Sequence, residues 1–491
     1  MGSGGLLVST RTHFEKTVLL TAGQVASLGI TFLIPICLSR WLTVDGYGTY
    51  KQLMLFHALL LLTVHMGMDW GLFYFIKRDP ERAANFSLNV MLVDLILASV
   101  VCLAGILGRG ALAGVLKNPE LETALLAFAP FVLFSIPSHH FNHYLVVLDR
   151  IPSAMALTLA FEGGKTLIIL GGYYFFHSLD VVLWGMGGLA LCRTAVMATW
   201  NFRARKQWRF PSPALFEQIR FALPLGGSNL MSLALKLDRF IVSSLFGLRA
   251  FTIYSVGCFE VPLMENTVTT MADLMSFDMV EARAKGDLPL VQSLWRDTLR
   301  KITIFHVPLA VYFVFFASEV IRFIYSDTYA ESAAYFIVFT GVFMLPSFTP
   351  EVVFRVFAKN TLLLRIRLFA AVYSLALIFG FAYAYGPFGA LIGKLVADIF
   401  TAGIQLQSMR LLLETSWKRL LPWKEIVQVT AFSCLSAYGL HSLFAFRSLF
   451  VTLGLSILLH TLSVIGLCLL VGFFRPEEIA YVRGKINFLN S

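Results

Sequence analysis

Residues 16–50 read KTVLLTAGQVASLGITFLIPICLSRWLTVDGYGTY, and this stretch decides the class of fold. No Asp, Glu, Lys or Arg occurs between Lys16 and Arg40. About 20 consecutive apolar residues are enough for a helix to cross the hydrocarbon core of a bilayer. Comparable apolar runs recur along the rest of the chain. The sequence therefore predicts an all-α polytopic membrane protein.

The composition of the whole chain supports this class. Hydrophobic residues make up 57% of the 491 residues and charged residues 14%, and the mean hydropathy is +0.75. A soluble protein is closer to half apolar and a quarter charged. These values exclude an ordinary soluble enzyme, a disordered chain and a secreted disulfide scaffold. The six cysteines lie in apolar stretches without a CxxC motif, which is typical of packing residues.

About fourteen apolar runs are long enough to be predicted as transmembrane helices. They cover residues 16–38, 51–76, 86–107, 123–148, 154–176, 181–202, 221–246, 254–277, 302–323, 333–357, 368–385, 388–412, 425–444 and 449–473. No small-residue cleavage site follows the first run, so we predict a retained span and not a signal peptide.

The distribution of basic residues predicts the orientation. With the N-terminus placed inside, the inner segments carry 26 Lys and Arg and the outer connections carry 7. Short loops rich in Lys and Arg stay on the cytoplasmic side. Both termini are therefore predicted to be cytoplasmic, with an even number of spans.

A faint internal duplication predicts the domain organisation. The segments 38–50 and 242–254 align at an offset of 204 residues, and the same offset pairs Gly185 with Gly389. Two six-helix halves in parallel orientation follow from this offset. The predicted parts are an N-lobe (1–202), a cytoplasmic linker (203–220), a C-lobe (221–413), and two further helices with a tail (414–491).

Four short segments at span boundaries carry a resemblance to a known family. They are Ser39-Arg40-Trp41-Leu42 followed by Asp45-Gly46-Tyr47-Gly48-Thr49-Tyr50, Leu237-Asp238-Arg239 followed by Leu245-Phe246-Gly247 and Tyr254, Ala284-Lys285-Gly286-Asp287, and Gly386-Pro387-Phe388-Gly389-Ala390. Together with the topology, they resemble the O-antigen type of lipid-linked oligosaccharide flippase. This type falls within the multidrug/oligosaccharidyl-lipid/polysaccharide exporter superfamily.

The resemblance implies two pseudo-repeated six-helix lobes around a central lumen, with two peripheral helices at the C-terminus. The implied location is a bacterial inner membrane. It also implies alternating access, in which a polyprenyl-pyrophosphate-linked oligosaccharide is turned from the inner to the outer leaflet for cell-surface polysaccharide synthesis, as in O-antigen and lipopolysaccharide production. The implied partners are this lipid-linked substrate, membrane lipids, and a polysaccharide polymerase with glycosyltransferases. Nucleic acid is not expected as a partner.

Charged residues within the predicted spans are the candidate functional residues. A charge at mid-bilayer costs at least about 2.5–3.5 kcal/mol, so it normally faces a cavity or a partner. The charged residues singled out are Glu162, Lys165, Lys236, Asp238, Arg239, Glu260, Glu265, Asp273, Glu351, Arg355, Lys394 and Asp398.

Two interpretations of these residues remain open. Acids and bases three or four positions apart are neighbours on a helix and can neutralise each other. The pairs with this spacing are Glu162–Lys165, Glu351–Arg355 and Lys394–Asp398. Alternatively, the cations line a lumen and bind pyrophosphate through charge-assisted hydrogen bonds. We favour the second interpretation for Lys236 and Arg239, because they are three residues apart on one face of the seventh predicted span and one acid between them does not cancel both. The predicted substrate-binding residues are Lys165, Lys236, Arg239, Arg355 and Lys394.

The carboxylates are candidates for ion coupling, a common role of acids inside membranes. Asp238, Glu260 and Glu265 form the predicted set, and Glu265 lies nearest the middle of the eighth span. The alternative role of Glu265 is to neutralise Lys236 or Arg239 from the neighbouring helix.

Two further patterns are set aside. Glu162-Gly163-Gly164-Lys165-Thr166 resembles the end of a phosphate-binding loop, but it lacks the required upstream glycine and a preceding strand. His139 and His143 lie one helical turn apart, as in a metal pair, yet no third ligand is evident nearby in the sequence. We predict lumen-lining polar residues there, with no metal and no cofactor.

Two other function classes remain as alternatives. One is a cation-coupled drug antiporter of the same superfamily, which the cationic spans disfavour. The other is a polytopic glycan polymerase or glycosyltransferase. That class usually has a large hydrophilic loop carrying acids, and this chain has only short connections. The sequence therefore predicts a transporter without catalytic residues.

Overall fold

A computed structural model describes residues 13–207, 210, 212–234, 236–349, 351–444 and 449–473. Some side chains within these ranges lie outside the description; those that bear on the argument below are Glu265 and Asp273. Every regular element in the described ranges is a helix. Two single 3₁₀ turns, Pro80–Arg82 and Asp327–Tyr329, accompany the α-helices.

The α-helices are numbered in chain order. They are α1 (His13–Trp41), α2 (Val44–Val64), α3 (Met68–Arg78), α4 (Ala83–Leu107), α5 (Arg109–Val115), α6 (Leu121–Ser138), α7 (Phe141–Val147), α8 (Ile151–Phe176), α9 (Leu179–Ala204), α10 (Pro213–Ala234), α11 (Asp238–Phe246), α12 (Leu248–Gly257), α13 (Pro262–Ala284), α14 (Leu288–Phe315), α15 (Ala317–Tyr325), α16 (Ser332–Phe348), α17 (Val352–Val356), α18 (Asn360–Leu412), α19 (Trp417–Leu420), α20 (Trp423–Phe444) and α21 (Leu449–Leu470).

The predicted fold class is confirmed. Ten helical stretches in the described ranges are long and apolar enough to cross a membrane. Their outward side chains include many large apolar groups, as expected where the solvent is lipid. The number of fourteen spans stays a prediction.

Six predicted spans are not single helices, and this corrects the sequence analysis. Each consists of two helices in the structure, namely the spans predicted at 51–76, 123–148, 221–246, 254–277, 302–323 and 333–357. The first is broken at Met66 and Gly67, whose φ angles of 45° and 76° are left-handed. Such residues end a helix, because the left-handed conformation cannot continue its hydrogen-bond ladder.

Helix α18 folds back on itself at Gly386. This glycine has φ 71° and ψ −160°, a combination that only glycine adopts readily, and Pro387 follows it. A methyl group on Gly393 would lie 2.6 Å from the carbonyl oxygen of Leu377, so the two halves are in close contact. The predicted boundary between spans 368–385 and 388–412 is confirmed at this turn.

The contacts divide the chain into two compact units. Unit 1 comprises residues 1–236 and 243–252, and unit 2 comprises residues 237–242 and 253–491. The segment 203–220, predicted as a linker, is helical from Pro213 onward. The division into lobes at 202 and 221 stays a prediction.

Unit 1 is held together by apolar packing and, at its surface, by an ion pair. Its core is centred on α3, α4 and α7, with Leu72 and Phe75 fully enclosed. At the end of α3, Arg78 donates two hydrogen bonds to Glu217 at 2.5 and 2.9 Å. This guanidinium lowers the pKa of the exposed Glu217 carboxyl below its ordinary value.

The Tyr-Gly-Thr-Tyr segment quoted at the outset has a packing role in unit 1. A methyl group on Gly48 would collide with the Thr252 hydroxyl, so α2 and the segment 243–252 pack at close range. Gln52 donates a 2.8 Å hydrogen bond to Ser243 and accepts one of 2.7 Å from Asn118. These bonds satisfy polar groups that are buried from solvent.

Unit 2 has a core at one end of α14. Trp295 is fully buried there, and its indole nitrogen donates a 2.9 Å hydrogen bond to the carbonyl oxygen of Leu420. Val352, Val353 and Phe354 of the short helix α17 pack in the same cluster.

Candidate functional site

A cationic cluster lies at the middle of two neighbouring helices in unit 1. Lys165 of α8 forms an ion pair with Glu162, three residues earlier on the same helix. Arg193 of α9 places its guanidinium 4.3 Å from the ring centre of Phe161, and the Lys165 ammonium lies 5.9 Å from the same ring. One aromatic ring therefore has a cation near it from each helix.

Arg193 is the functional candidate that the sequence analysis missed. Only 9% of this residue is exposed, although it lies near the midpoint of an apolar helix. Its Nε has no hydrogen-bond partner among the residues that the structure describes. Its charge alone, within a predicted span, was the signal that could have identified it.

The unit 1 cluster carries net positive charge. Lys165 and Arg193 supply two charges, and Glu162, which interacts with both of them, supplies one negative charge. Nearby on α2, His57 bonds to Ser135 of α6 at 2.7 Å through its Nε2 atom. A hydrogen-bonded imidazole and two cations beside an aromatic ring are suited to an anionic or sugar-bearing ligand.

Arg239 in unit 2 forms hydrogen bonds with residues close to it in the sequence. Its guanidinium donates 2.9 Å and 3.0 Å hydrogen bonds to the carbonyl oxygen of Cys258 and to a carboxylate oxygen of Glu260. Cys258 and Glu260 lie in the interruption between α12 and α13. Arg239 therefore satisfies a free helix-end carbonyl and pairs with one of the predicted ion-coupling acids.

Asp238 and Lys394 belong to the same cluster of unit 2. Asp238, which is only 3% exposed, accepts a 2.7 Å hydrogen bond from the Tyr254 hydroxyl. Lys394 lies 3.7 Å from Asp398, four residues later, and also interacts electrostatically with Asp238. With Arg239 and Glu260, this cluster contains three carboxylates and two cations. Its described groups therefore carry net negative charge.

The expectation that Lys236 and Arg239 share one helical face is wrong. Helix α10 ends at Ala234 and α11 begins at Asp238, so Lys236 lies in the turn between two helices. Its side chain is exposed. Spacing of three residues places side chains together only on a continuous helix, and here the helix is interrupted.

The remaining candidates are placed as follows. Glu351 binds Arg367 of α18 through two short hydrogen bonds of 2.6 and 2.7 Å, a partner that sequence spacing did not indicate. Arg355 is an exposed residue of α17. Glu265 and Asp273 are in α13, and their side chains lie outside the described residues.

The histidine pair set aside in the sequence analysis lies next to a buried group of polar side chains. His139 and His143 contact each other with ring centres 6.3 Å apart. Their neighbour His140 is fully buried and faces Asp94 of α4, together with His65 from the end of α2. Among the described residues, His65, Asp94 and His140 are the group whose ligand atoms lie close enough together to hold a metal ion.

Two described cavities lie apart from these clusters. One of about 280 Å³ in unit 2 is lined by Glu319, Arg322 and His441, among others. The other, of about 650 Å³ in unit 1, is lined by Arg150, Trp200 and Arg203 with small apolar side chains. Neither contains a predicted site residue.

Comparison with known proteins gives one family match. Residues 37–334 match the family described as "Polysaccharide biosynthesis protein". No curated protein sequence matches the chain.

Several solved structures share the fold. The lipid II flippase MurJ in an inward closed conformation superposes with a TM-score of 0.68 at 12% identity, covering 92% of this chain and 98% of the flippase. An inward-facing multidrug transporter of the MATE family superposes with a TM-score of 0.60 at 16% identity, covering 83% of this chain and 96% of the transporter. A transporter of the MOP superfamily from Pyrococcus furiosus superposes with a TM-score of 0.56 at 17% identity, covering 82% of this chain and 96% of that transporter. At these identities, the likeness shows the fold alone.

Proposed function

The chain belongs to the family of polysaccharide biosynthesis proteins, and we propose that it is the transporter that flips a polyprenyl-pyrophosphate-linked oligosaccharide from the inner to the outer leaflet. Movement by alternating access is in keeping with the fold shared with a lipid II flippase and MATE transporters. The product serves cell-surface polysaccharide synthesis, of the O-antigen and lipopolysaccharide kind.

The observation that carries this proposal is the net positive cluster of unit 1. Buried cations at mid-membrane are costly, so their retention indicates a ligand or an ion partner. Glu162 offsets only one of the two charges of Lys165 and Arg193. A pyrophosphate supplies the missing negative charge, and its oxygens accept charge-assisted hydrogen bonds from guanidinium and ammonium groups.

A drug antiporter of the same superfamily is the second candidate. The net negative cluster of unit 2 supports it, because Asp238, Glu260 and Asp398 outnumber Arg239 and Lys394. In the flippase proposal, Asp238 and Glu260 of this cluster instead serve ion coupling, and Glu265 of α13 has the same role. The substrate-binding role of Lys236, Arg239, Arg355 and Lys394 is secondary to that of Lys165 and Arg193.

The proposal includes a place in the cell. The chain acts in a bacterial inner membrane with both termini in the cytoplasm, where basic connections are retained. Glycosyltransferases that build the glycan on the inner leaflet supply its substrate, and a polymerase on the outer leaflet consumes its product.

Ligand binding tests the proposal. The purified protein in detergent is titrated with a fluorescent polyprenyl-diphosphate-linked disaccharide, and in parallel with the cationic dye ethidium. We expect Arg193→Gln and Lys165→Gln each to weaken lipid binding by about 10-fold or more, since each removes a charged hydrogen-bond donor worth about 1.5–3 kcal/mol.

The matched control is Arg205→Gln, which removes an exposed cation after the end of α9 in the same unit. It is expected to bind the lipid as the wild type does. Tighter binding of ethidium than of the lipid, with no effect of Arg193→Gln or Lys165→Gln on lipid affinity, would contradict the proposal and favour the antiporter.

A further inference from the structure

A second polar cluster in unit 1 has a composition unlike that of the cationic site. Of the ten histidines in the chain, five lie in the segments 57–65 and 139–143. Two of them, His65 and His140, meet Asp94 from two separate helical segments. The ligand atoms of the three residues all lie within 4.8 Å of one another, and all three residues are buried.

Both histidines lie where a helix is interrupted. His65 follows the last residue of α2, immediately before the left-handed residues Met66 and Gly67. His140 lies in the interruption between α6 and α7. Interrupted helices at membrane depth are sites where transporters bind ions, because side chains and free backbone groups converge there.

The side chain of His140 is held from one side and unsatisfied on the other. Its Nε2 lies 3.3 Å from the Ser87 hydroxyl, which in turn accepts a 2.8 Å hydrogen bond from Asn201. Its Nδ1 has no hydrogen-bond partner among the described residues and lies 3.9 Å from a carboxylate oxygen of Asp94. In a metal-binding histidine, the ring nitrogen that does not bind the ion is usually fixed by a hydrogen bond. Ser87 is placed to fix Nε2 in this way, which leaves Nδ1 for the ion.

We propose that His65, Asp94 and His140 bind a divalent transition metal ion, with Zn²⁺ as the best-matched species. Two imidazole nitrogens and one carboxylate oxygen are donors that Zn²⁺ prefers, and a fourth position is left for water or another ligand. The carboxylate supplies negative charge in a buried site where a bare cation is unfavourable.

The observed distances define the adjustment that binding needs. Ligands of a tetrahedral zinc lie about 3.4 Å apart, given bonds of about 2.0–2.2 Å. The gap of 3.9 Å between His140 and Asp94 is already wide enough for an ion. The His65 Nδ1 lies 2.7 Å from Asp94, which is a hydrogen-bond distance, so this pair separates by a fraction of an ångström. Side-chain rotation suffices for such a change.

Metal titration tests the site on the full-length protein, purified without a polyhistidine tag and treated with a chelator. Zn²⁺ binding is followed by calorimetry, and Co²⁺ is added as a spectroscopic probe of the ligand geometry. We expect one equivalent to bind, with the visible absorption of a four- or five-coordinate Co²⁺ site. His140→Ala and Asp94→Asn are each expected to weaken Zn²⁺ binding by about 100-fold or more, since both remove a ligand.

Two further variants make the result decisive. His143→Ala removes a nearby imidazole of α7 that is not in the triad, and it is expected to leave affinity and stoichiometry unchanged. His140→Gln keeps an amide beside Ser87 and serves if His140→Ala does not fold. No Zn²⁺ binding by folded wild-type protein, or equal affinity in wild type and His140→Gln, would overturn the proposal. A drop in Zn²⁺ affinity for His143→Ala as large as that for Asp94→Asn would also overturn the proposal, because Zn²⁺ binding would then not be confined to His65, Asp94 and His140.

Discussion

Charged side chains inside the helices of this chain occur in two arrangements. In unit 2, Arg239 and Lys394 each lie beside at least one carboxylate. In unit 1, among the residues that the structure describes, Lys165 and Arg193 share one carboxylate, that of Glu162. A cation whose charge is fully neutralised by carboxylates forms a structural ion pair, whereas a cluster whose positive charge is only partly neutralised attracts an anion.

The Arg239–Glu260 pair yields a prediction about stability. Arg239→Gln and Glu260→Gln should each lower the thermal unfolding temperature in detergent, because each removes one side of this ion pair. The double variant should recover part of the loss, with a coupling energy of about 0.5–1 kcal/mol, since both side chains are partly exposed. Additive losses would instead assign Arg239 a role outside this pair, such as substrate binding.

Sequence spacing predicts some of these contacts and misses others for a definable reason. Glu162 with Lys165 and Lys394 with Asp398 are three and four residues apart on unbroken helices, and both pairs are confirmed. Glu351 binds Arg367, a contact that local spacing does not indicate, because Glu351 precedes the short helix α17 and Arg367 lies on the next helix, α18. Contacts between helices, such as that of Arg193 with Phe161, have no signature in local spacing.

Helix interruptions are the feature of the elements that hydropathy did not reveal. An apolar run reports that a segment can be buried in lipid, but it does not report whether its backbone stays helical. Gly386-Pro387 carries a strong signal and was predicted as a boundary. The sequence signal for a helix interruption is weak at His65, Met66 and Gly67, since only the glycine favours a left-handed conformation.

The turn within α18 yields a prediction at this scale. Gly386→Ala should destabilise the protein by about 1–3 kcal/mol, because φ 71° with ψ −160° is strained for any residue with a Cβ atom. Gly403→Ala on the same helix is the control. It has open space around the position where a Cβ would be, and alanine favours the helix by about 1 kcal/mol, so its unfolding temperature should be equal or higher. Equal unfolding temperatures for Gly386→Ala and wild type would contradict the account of the turn.

The whole molecule is predicted to have its basic connections on the cytoplasmic side. In a variant without native cysteines, Lys206→Cys should be protected from a membrane-impermeant thiol reagent in intact cells, whereas Thr328→Cys should react. Both positions are exposed at the ends of helices, so a lack of reaction reports the side of the membrane. Reaction of Lys206→Cys without reaction of Thr328→Cys would show the orientation opposite to the predicted one.

Transport of an anionic lipid headgroup outward should also respond to membrane potential. An inside-negative potential favours outward movement of negative charge by about 2.3 kcal/mol per charge per 100 mV. Imposing such a potential on proteoliposomes should accelerate flipping even without a pH gradient.

If Glu265 carries a coupling proton, Glu265→Gln should abolish the response of flipping to a pH gradient and leave its response to membrane potential. A pH response retained in Glu265→Gln would remove this residue from coupling.

A flipping assay in reconstituted vesicles tests the central claim most directly. Vesicles containing a fluorescent polyprenyl-diphosphate-linked disaccharide in both leaflets are exposed to an impermeant quencher. With the wild-type protein, the inner-leaflet fluorophore should also become quenched over time. With the Lys165→Gln/Arg193→Gln double variant, quenching should stop at the outer-leaflet share, as it does in vesicles without protein. Complete quenching by the double variant, or none beyond the outer leaflet by the wild type, would contradict the account.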